Sequence, residues 1–271
     1  MITCGFNGRL GNNLFQIANA ISVSKKLNTD LVLPEQSYCG HRGVRNVELN
    51  MFEYKFNRGV LSAPVIEYNE PTFHYTEIPL QDNMRLSGFY QSWKYFEDIR
   101  VELINTYFKF STDIESSATQ HILTGLNTLG ISVRRGDYLM LQHNHCVLGI
   151  DYYQEVIDKY FSEGIDMIYV FSDDIDWCKS VFGDSVIYVQ DTPGVQLCLM
   201  TKMQNLIISN STFAWWGAYL NTKAKYIIAP EPWFGTALCN HDTKDLLYPS
   251  WIVHRHNIQQ QPYEISEKFF D

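Results

Sequence analysis

Ile131-Ser-Val-Arg-Arg-Gly-Asp-Tyr138 joins a short apolar run to two arginines, a glycine and an aspartate. Its first three residues predict a buried strand, and the arginines stand where that strand ends. Two adjacent guanidinium groups match the geometry of a diphosphate, and in open α/β sheets ligands bind at the carboxyl ends of the strands. We therefore expect this stretch to form an anion-binding edge of a sheet.

The rest of the second half alternates between apolar strands and helices. The strands lack polar alternation, which indicates a parallel sheet covered by helices on both faces. The strands are predicted at Gly130–Val133, Met167–Phe171, Val186–Val189, Leu206–Ser209 and Tyr226–Ala229. The helices are predicted at Tyr152–Phe161, Ile175–Phe182, Val195–Met203 and Thr212–Leu220. Residues 126–271 are thus predicted to be a Rossmann-like domain whose polar tail after Trp251 packs back or frays.

Residues 1–125 are predicted to form a shorter Rossmann-like domain with more loops. The polar stretch Gly8-Arg-Leu-Gly-Asn-Asn13 is expected as a turn before a helix at Asn13–Leu27, whose apolar residues recur at i, i+3, i+4 and i+7. The other elements are predicted as strands at Ile2–Phe6, Leu31–Leu33 and Arg85–Phe89, long loops with some strand over 35–83, a helix at Tyr95–Phe110, and a helix or linker at Ser111–Asn127. The predicted fold class is α/β, with two domains.

Composition and charge narrow the functional classes. The 271 residues carry a net charge of −9, which argues against a nucleic-acid partner because a phosphate backbone requires a basic surface. Six cysteines form no CxxC pair and no zinc-ligand spacing, so a reducing compartment is expected. Neither a leader sequence nor a transmembrane run is apparent. These features predict a cytoplasmic protein, either free or peripheral at a membrane face.

The two arginines are expected to have different roles. Arg134 and Arg135 are neighbours on an extended segment, so their side chains point to opposite faces. At most one of them is then expected to touch a ligand, while the other is structural, for example paired with Asp137.

A second polar segment, Ser209-Asn-Ser-Thr-Phe213, runs from a predicted strand into a predicted helix. Free backbone amides at a helix start, together with hydroxyl groups, suit a phosphate. The simpler alternative is that Ser211 or Thr212 only caps the helix. Both interpretations are open at this point.

Two further groups of polar residues have a functional and a structural interpretation. Asp174-Ile-Asp176 matches a D-x-D pattern that binds divalent metals in many nucleotide-sugar enzymes, but Asp174 also stands where a helix cap is expected. A metal is unnecessary if an arginine neutralises a diphosphate, so we predict no metal site. His143 and His145 follow the arginines in a loop, where one could be a general base or only face solvent.

Taken together, these motifs resemble the α-1,2-fucosyltransferases of glycosyltransferase family 11. The segments that carry the resemblance are Gly8–Gln16, Gly88–Arg100, Val133–Tyr138, Leu148–Tyr153, Phe171–Asp174, Ser209–Gly217 and Pro232–Phe234. They span most of the chain in family order. The joint match is specific, although each segment alone is not.

The resemblance implies a GT-B-like fold, with two Rossmann-like domains facing a central cleft. Residues 1–125 would then lie on the acceptor side, and residues 126–271 would bind the donor. The implied donor is GDP-β-L-fucose, and the implied acceptor is a galactose-containing glycan, with transfer to the 2-OH of a β-galactoside. Transfer would invert the anomeric centre without a metal or another cofactor.

The resemblance also implies roles for particular residues. Arg134 and Asp137 are the predicted catalytic residues, with Arg134 at the donor diphosphate and with Asp137 and His145 as candidate bases. The predicted donor-binding residues are Gly11, Asn12, Ser132, Arg134, Arg135, Asp173, Asn210, Ser211, Thr212 and Phe213. Asn12 would reach across the cleft from the first domain. Ser132 departs from the family pattern, which often has histidine at this position. If that histidine helps to hold the guanine in relatives, serine must do so differently.

Two other functions are compatible with the sequence. The chain could be a nucleotide-sugar transferase with a different donor or linkage. It could also bind a nucleotide or a sugar without turnover. Donor screening distinguishes the first alternative, and tight GDP binding without transfer would favour the second.

Overall fold

The computed structural model describes residues 1–39, 43–59 and 66–262. The chain forms two compact units. The first comprises residues 1–112 together with the later segment Asp242–Tyr248, and the second comprises residues 113–241 and the described chain from Pro249 onward. The predicted division between residues 125 and 126 stays a prediction. No sequence pattern marked Asp242–Tyr248 as part of the first unit.

The first unit is built on a small parallel sheet. Its strands are β1 (Ile2–Cys4), β2 (Gln36–Tyr38), β3 (Val44–Asn46), β4 (Ile66–Asn69) and β5 (Met84–Ser87). β1, β5 and β4 form the parallel sheet in that order, while β2 and β3 form an antiparallel hairpin. The predicted strand Leu31–Leu33 does not form as a continuous element, because Leu31 and Leu33 each make only an isolated bridge. Pro34 follows and has no N–H group that could extend the pairing.

Helix α1 (Leu10–Lys26) begins three residues earlier than the predicted Asn13. Its predicted apolar stripe is buried, and so are polar side chains on other faces, among them Asn13, Gln16 and Asn19. The helix is therefore enclosed on most sides. Two of these polar residues, Asn13 and Gln16, form hydrogen bonds to the turns around the helix, which the apolar periodicity does not predict.

The helix predicted at Tyr95–Phe110 is wrong as a continuous element. The chain makes 3₁₀ turns at Trp93–Tyr95 and Glu97–Ile99, then α2 (Arg100–Glu102) and a π-helical turn at Leu103–Tyr107. Phe96 departs from helical geometry at φ −141° and ψ 14° while its ring is fully buried against Phe15. Packing of this ring replaces the regular helix that the apolar spacing predicts.

The second unit contains a six-stranded sheet in which every pairing is parallel. Its strands are β6 (Thr128–Val133), β7 (Met167–Ser172), β8 (Ile187–Val189), β9 (Asn205–Ile207), β10 (Tyr226–Glu231) and β11 (Ile252–Arg255). Its helices are α3 (Thr112–Gln120), α4 (Ile150–Tyr160), α5 (Ile175–Phe182), α6 (Pro193–Met200) and α7 (Thr212–Tyr219). The predicted parallel sheet with intervening helices is confirmed, with shifts of a few residues at the ends.

Strand β11 lies in the tail that the sequence left undecided. The tail packs back, because Ile252 pairs in parallel with Ile228 of β10 and His254 pairs with Pro230. Buried and exposed side chains alternate along β11, as expected for an edge strand. The sheet therefore gains a sixth strand from a polar segment.

Strand β6 lies between β9 and β7 and is buried along its whole length. Gly130 is required there, because a Cβ at this position would lie 2.7 Å from a methyl group of Leu206. The carboxyl end of β6 thus opens at the middle of the sheet, which is where Arg134 follows. Within the described residues, none of the helices has the length and apolar content needed to cross a membrane.

Candidate functional site

Arg134 is fixed on three sides at the carboxyl end of β6. Its Nη2 atom lies 2.5 Å from Asp137 Oδ1, and its Nη1 atom lies 2.8 Å from Asp173 Oδ2. The guanidinium carbon lies 5.1 Å from the centre of the Tyr138 ring. A guanidinium carries more N–H donors than these two ion pairs use. Arg134 can therefore keep its orientation while it binds a further anion.

The electrostatic surroundings hold Arg134 in its charged form. Burial works to lower the pKa of Arg134, but the carboxylates of Asp173 and Asp137 outweigh burial and raise that pKa. The Arg134 side chain is 18% exposed. This combination gives a preorganised cation that a ligand can still reach.

Arg135 has different surroundings, as its neighbouring position predicts. Its side chain is 5% exposed, its Nε atom lies 3.2 Å from Asp174 Oδ2, and its guanidinium carbon lies 3.9 Å from the centre of the Trp177 ring. The backbone N–H of Arg135 donates to Asp173 Oδ1 at 2.9 Å. Arg135 therefore supports the turn from inside.

Gly136 allows the two arginines to share Asp173. A Cβ at Gly136 would overlap the Asp173 carboxylate, which receives the Arg135 amide on one oxygen and lies beside Arg134 on the other. A larger residue would displace the carboxylate. The glycine in the quoted stretch is thus explained by this close approach and not by an unusual backbone angle.

The structure supports the structural interpretation of Asp174. Its Oδ1 atom accepts a hydrogen bond from the Trp177 amide at 3.3 Å, which caps α5, and its Oδ2 atom faces Arg135. Asp176 lies within the first turn of that helix. Among the described residues, no group of three or more His, Cys, Asp and Glu side chains is arranged to hold a metal ion.

The segment between β9 and α7 lies at the same edge of the sheet. Ser211 is the cap of α7, because its hydroxyl accepts the Phe213 amide at 3.3 Å, whereas Thr212 is the first residue of the helix. Asn210 is buried and its Nδ2 atom donates to two backbone carbonyls. The hydroxyls of Ser132 and Ser209 lie 3.1 Å apart and link this segment to β6.

Tyr138 and His145 form a stack beside Arg134 that the sequence did not predict as a unit. Their rings lie 4.3 Å apart with an interplanar angle of 12°. Burial lowers the pKa of His145 to about 4, with Asp137 opposing this effect and Arg134 adding to it. His145 is therefore neutral at pH 7. The one sequence signal for this stack was Tyr138, the aromatic residue at the end of the stretch from Ile131 to Tyr138.

Gly11 and Asn12 belong to the first unit and lie in the first turn of α1, so their placement in a loop was wrong. Asn12 Oδ1 accepts a hydrogen bond from Gln91 Nε2 at 3.1 Å. Gly8 precedes the helix with φ +83°, where a Cβ would overlap the Asn12 amide group. Sequence reasoning missed Gln91, although it lies in a segment that carries the family resemblance.

Comparison with known proteins assigns the family. The model of glycosyl transferase family 11 matches residues 1–255. The chain belongs to glycosyl transferase family 11. It is 28% identical to the O-antigen biosynthesis glycosyltransferase WbnK of Escherichia coli, over 93% of this chain and 99% of that protein.

Two other relatives of this family 11 glycosyltransferase bear more specific names. An α-1,2-colitosyltransferase of Escherichia coli is 27% identical, over 84% of this chain and 90% of its own. The galactoside 2-α-L-fucosyltransferase SEC1 of Bos taurus is 25% identical, over 81% of this chain and 64% of its own. The predicted family is therefore confirmed, and its relatives carry names for two different sugars.

Solved structures confirm the predicted GT-B-like fold of this family 11 protein. The NodZ α-1,6-fucosyltransferase, in a crystal soaked with GDP-fucose, superimposes with a TM-score of 0.57 at 14% identity, over 85% of this chain and 95% of that one. At this identity the likeness concerns the fold. The roles of the residues follow from the geometry above.

Proposed function

We propose that this family 11 glycosyltransferase transfers L-fucose from GDP-β-L-fucose to the 2-OH of a β-galactoside and inverts the anomeric centre. The observation that carries the proposal is Arg134, a preorganised cation at the carboxyl end of the central strand β6, held by Asp137 and Asp173. The fucosyl and galactoside parts of the proposal are supported by the name of the bovine relative.

In the proposed reaction, the acceptor oxygen forms a bond to the anomeric carbon while the bond from that carbon to the phosphate oxygen breaks. The electron pair of the broken bond stays on GDP, and the proton of the acceptor hydroxyl passes to solvent water. Arg134 stabilises the charge that develops on the leaving phosphate, and it does so without reorganising, because two carboxylates already hold it.

Asp137 acts in this proposal through Arg134. Its carboxylate lies 2.5 Å from the guanidinium, so it fixes the cation and is less suited to accept the acceptor's proton. The β9–α7 segment from Asn210 to Phe213 would border the donor, with Thr212 and Phe213 partly exposed at the start of α7. Ser132 and Ser209 would form the floor of this edge.

The proposed reaction needs neither a metal nor another cofactor. The Asp174 carboxylate, which the D-x-D pattern would offer to a metal, already caps α5 and faces Arg135. Arg134 supplies positive charge for the diphosphate in place of a divalent ion. The proposal that no metal is needed does not depend on which sugar is transferred.

A second candidate is transfer of a different sugar from a GDP carrier. The relative named as an α-1,2-colitosyltransferase matches this chain at 27% identity, slightly above the bovine galactoside relative. Both candidates use the same leaving group and the same arginine. They differ in the donor sugar, because colitose lacks a hydroxyl that fucose carries.

The test is release of GDP from GDP-fucose in EDTA, with and without a β-galactoside acceptor. We expect release that depends on the acceptor and a product whose linkage is α-1,2 by NMR. GDP-colitose in parallel reactions separates the two donors. Release only after Mn²⁺ is added would overturn the metal-free proposal, and release from neither donor would overturn both functions.

A further inference from the structure

A column of aromatic rings leads away from Arg134 through the second unit. The guanidinium lies over Tyr138, and the Tyr138 ring stacks on His145 at 4.3 Å. His145 then packs against Phe234, with the ring centres 6.3 Å apart. The backbones of His145 and Phe234 also pair as an antiparallel bridge. The column thus has a fixed base in the loop that follows β10.

We propose that His145 is a positioning residue for glycosyl transfer: its ring, stacked behind Tyr138, holds Tyr138 against Arg134 and thereby sets the tilt of the guanidinium plane. Asp137 and Asp173 hold the edges of the guanidinium, but contacts in its plane do not fix its tilt. Tyr138 provides that restraint from the face. A parallel ring behind Tyr138 keeps it from turning away.

Asn210 fixes the column at both of its ends. Its Nδ2 atom donates to the carbonyls of Cys146 and Trp233, each at 2.9 Å, and these residues are the chain neighbours of His145 and Phe234. The backbone carbonyl of Asn210 accepts a hydrogen bond from the Tyr138 hydroxyl at 3.3 Å. One buried amide residue therefore joins three parts of the chain around the stack.

The surroundings of His145 favour an uncharged ring. The charged groups that act on it are Asp137 and Arg134, and His241 contacts the far ring, Phe234. Burial outweighs the attraction of Asp137 and lowers the pKa of His145 to about 4. A protonated ring would place a second cation beside Arg134, so acid should disturb the stack.

A general base is the competing role for His145, and substitution separates the two. Phenylalanine can stack on Tyr138 but cannot accept a proton, whereas alanine can do neither. The positioning role predicts that His145→Phe retains at least about a third of kcat, whereas His145→Ala lowers kcat about 30-fold. A base predicts that both variants lose about 100-fold or more.

The experiment rests on the proposed function and uses the intact chain. We would measure kcat and KM for GDP-fucose in His145→Phe, His145→Ala, Tyr138→Leu and the double variant His145→Ala with Tyr138→Leu, and the dissociation constant of GDP for each. His143→Ala is the matched control, because His143 is exposed and lies two residues from the stack. Circular dichroism at pH 7.5 excludes variants that do not fold.

We expect His145→Ala and Tyr138→Leu to lower kcat about 30-fold each, and the double variant to lose little more, because both remove one restraint. His145→Phe should retain at least about a third of kcat. As the pH is lowered, the kcat of this variant should begin to fall at a lower pH than the kcat of the native chain. Folded His145→Ala with native kcat would overturn the proposal, and so would equal losses in the two His145 variants.

The GDP measurement separates this inference from the proposed function. A native chain that binds GDP but transfers no sugar would refute the function, while weaker GDP binding in His145→Ala than in His145→Phe would still support the positioning role. A native chain that transfers fucose, with all variants unchanged in both readouts, would refute the positioning role alone.

Discussion

The turn after β6 and the turn before α1 follow the first parallel strand of their respective units, but they differ in chemistry. The first turn holds Arg134 and Arg135 with aspartates in ion pairs. The second turn is held by uncharged amides and a hydroxyl: Gln16 bonds to Asn7 and to the Gly88 carbonyl, and Asn13 bonds to Ser37. The ion pairs of the first turn are charged, whereas the hydrogen bonds that Gln16 and Asn13 make in the second are neutral.

This difference indicates how each turn can act on a ligand. A preorganised cation stabilises charge that develops in a reaction, because the low-dielectric surroundings strengthen its field. Neutral amides fix the shape of a turn at every pH. The charged turn should therefore control rate and respond to acid, whereas the neutral turn should control stability independently of pH.

Loss of Arg134 should give the largest effect. Arg134→Ala removes the cation at the leaving phosphate, and we expect kcat to fall about 1,000-fold, equivalent to about 4 kcal/mol. Steady-state kinetics with GDP-fucose measures this effect. Arg255→Ala, which alters an arginine whose side chain is 87% exposed, is the control. Near-native kcat in Arg134→Ala would contradict the leading role of the charged turn.

Acid should destabilise the charged turn through His145. Its pKa lies at about 4 in the folded chain, against an ordinary value of 6.5, so below pH 6.5 the unfolded state binds the proton more strongly. Stability should therefore fall as the pH drops from 6.5 to about 4, by up to about 3 kcal/mol. Urea unfolding across this range measures the slope, and His145→Phe should remove this contribution. An unchanged slope in that variant would contradict the assignment.

Gln16→Leu should weaken the neutral turn by about 2 kcal/mol at every pH, because it leaves partly buried backbone groups of Asn7 and Gly88 without these partners. Urea unfolding at pH 7.5 and pH 5.5 tests both the size and the pH independence. Glu53→Gln on the exposed surface serves as a control for small changes. A loss that depends strongly on pH would remove the contrast between the two turns.

The smallest effect is expected at Asp176. Asp176→Asn should change stability by less than about 0.5 kcal/mol, and activity in EDTA should stay at the native level, since Asp174 and not Asp176 caps α5 and faces Arg135. Asp174→Asn is the informative partner, because it retains a helix cap but weakens the contact with Arg135. A dependence on Mn²⁺ that Asp176→Asn abolishes would contradict the metal-free proposal.

Sequence patterns predicted the architecture of the second unit better than that of the first. Long apolar strands with intervening helices have one stable arrangement, and the parallel sheet formed as expected. In the first unit, Phe96 is buried in a position that interrupts the helix predicted at Tyr95–Phe110. Strand β11 was also missed, since a polar edge strand is defined by its partner β10 and not by its own apolar pattern.

Within the candidate site, the sequence predicted the segments and the structure supplied the pairings. Arg134 and Asp137 are close in sequence, so their ion pair could be anticipated. Asp173 comes from the end of β7, and only the register of β6 with β7 places it beside Arg134. His145 looked like a loop histidine, because nothing local predicts its stack on Tyr138.

The sequence alone determined the fold class, the family and the arginine pair at a strand end, because these depend on local apolar periodicity and on residue types in fixed order. The tertiary structure decided which arginine is accessible and which is buried on Trp177. It also decided that Asp174 faces Arg135 and that His145 is uncharged. Burial and pairing between distant segments set these properties, and neither is encoded in a short stretch of chain.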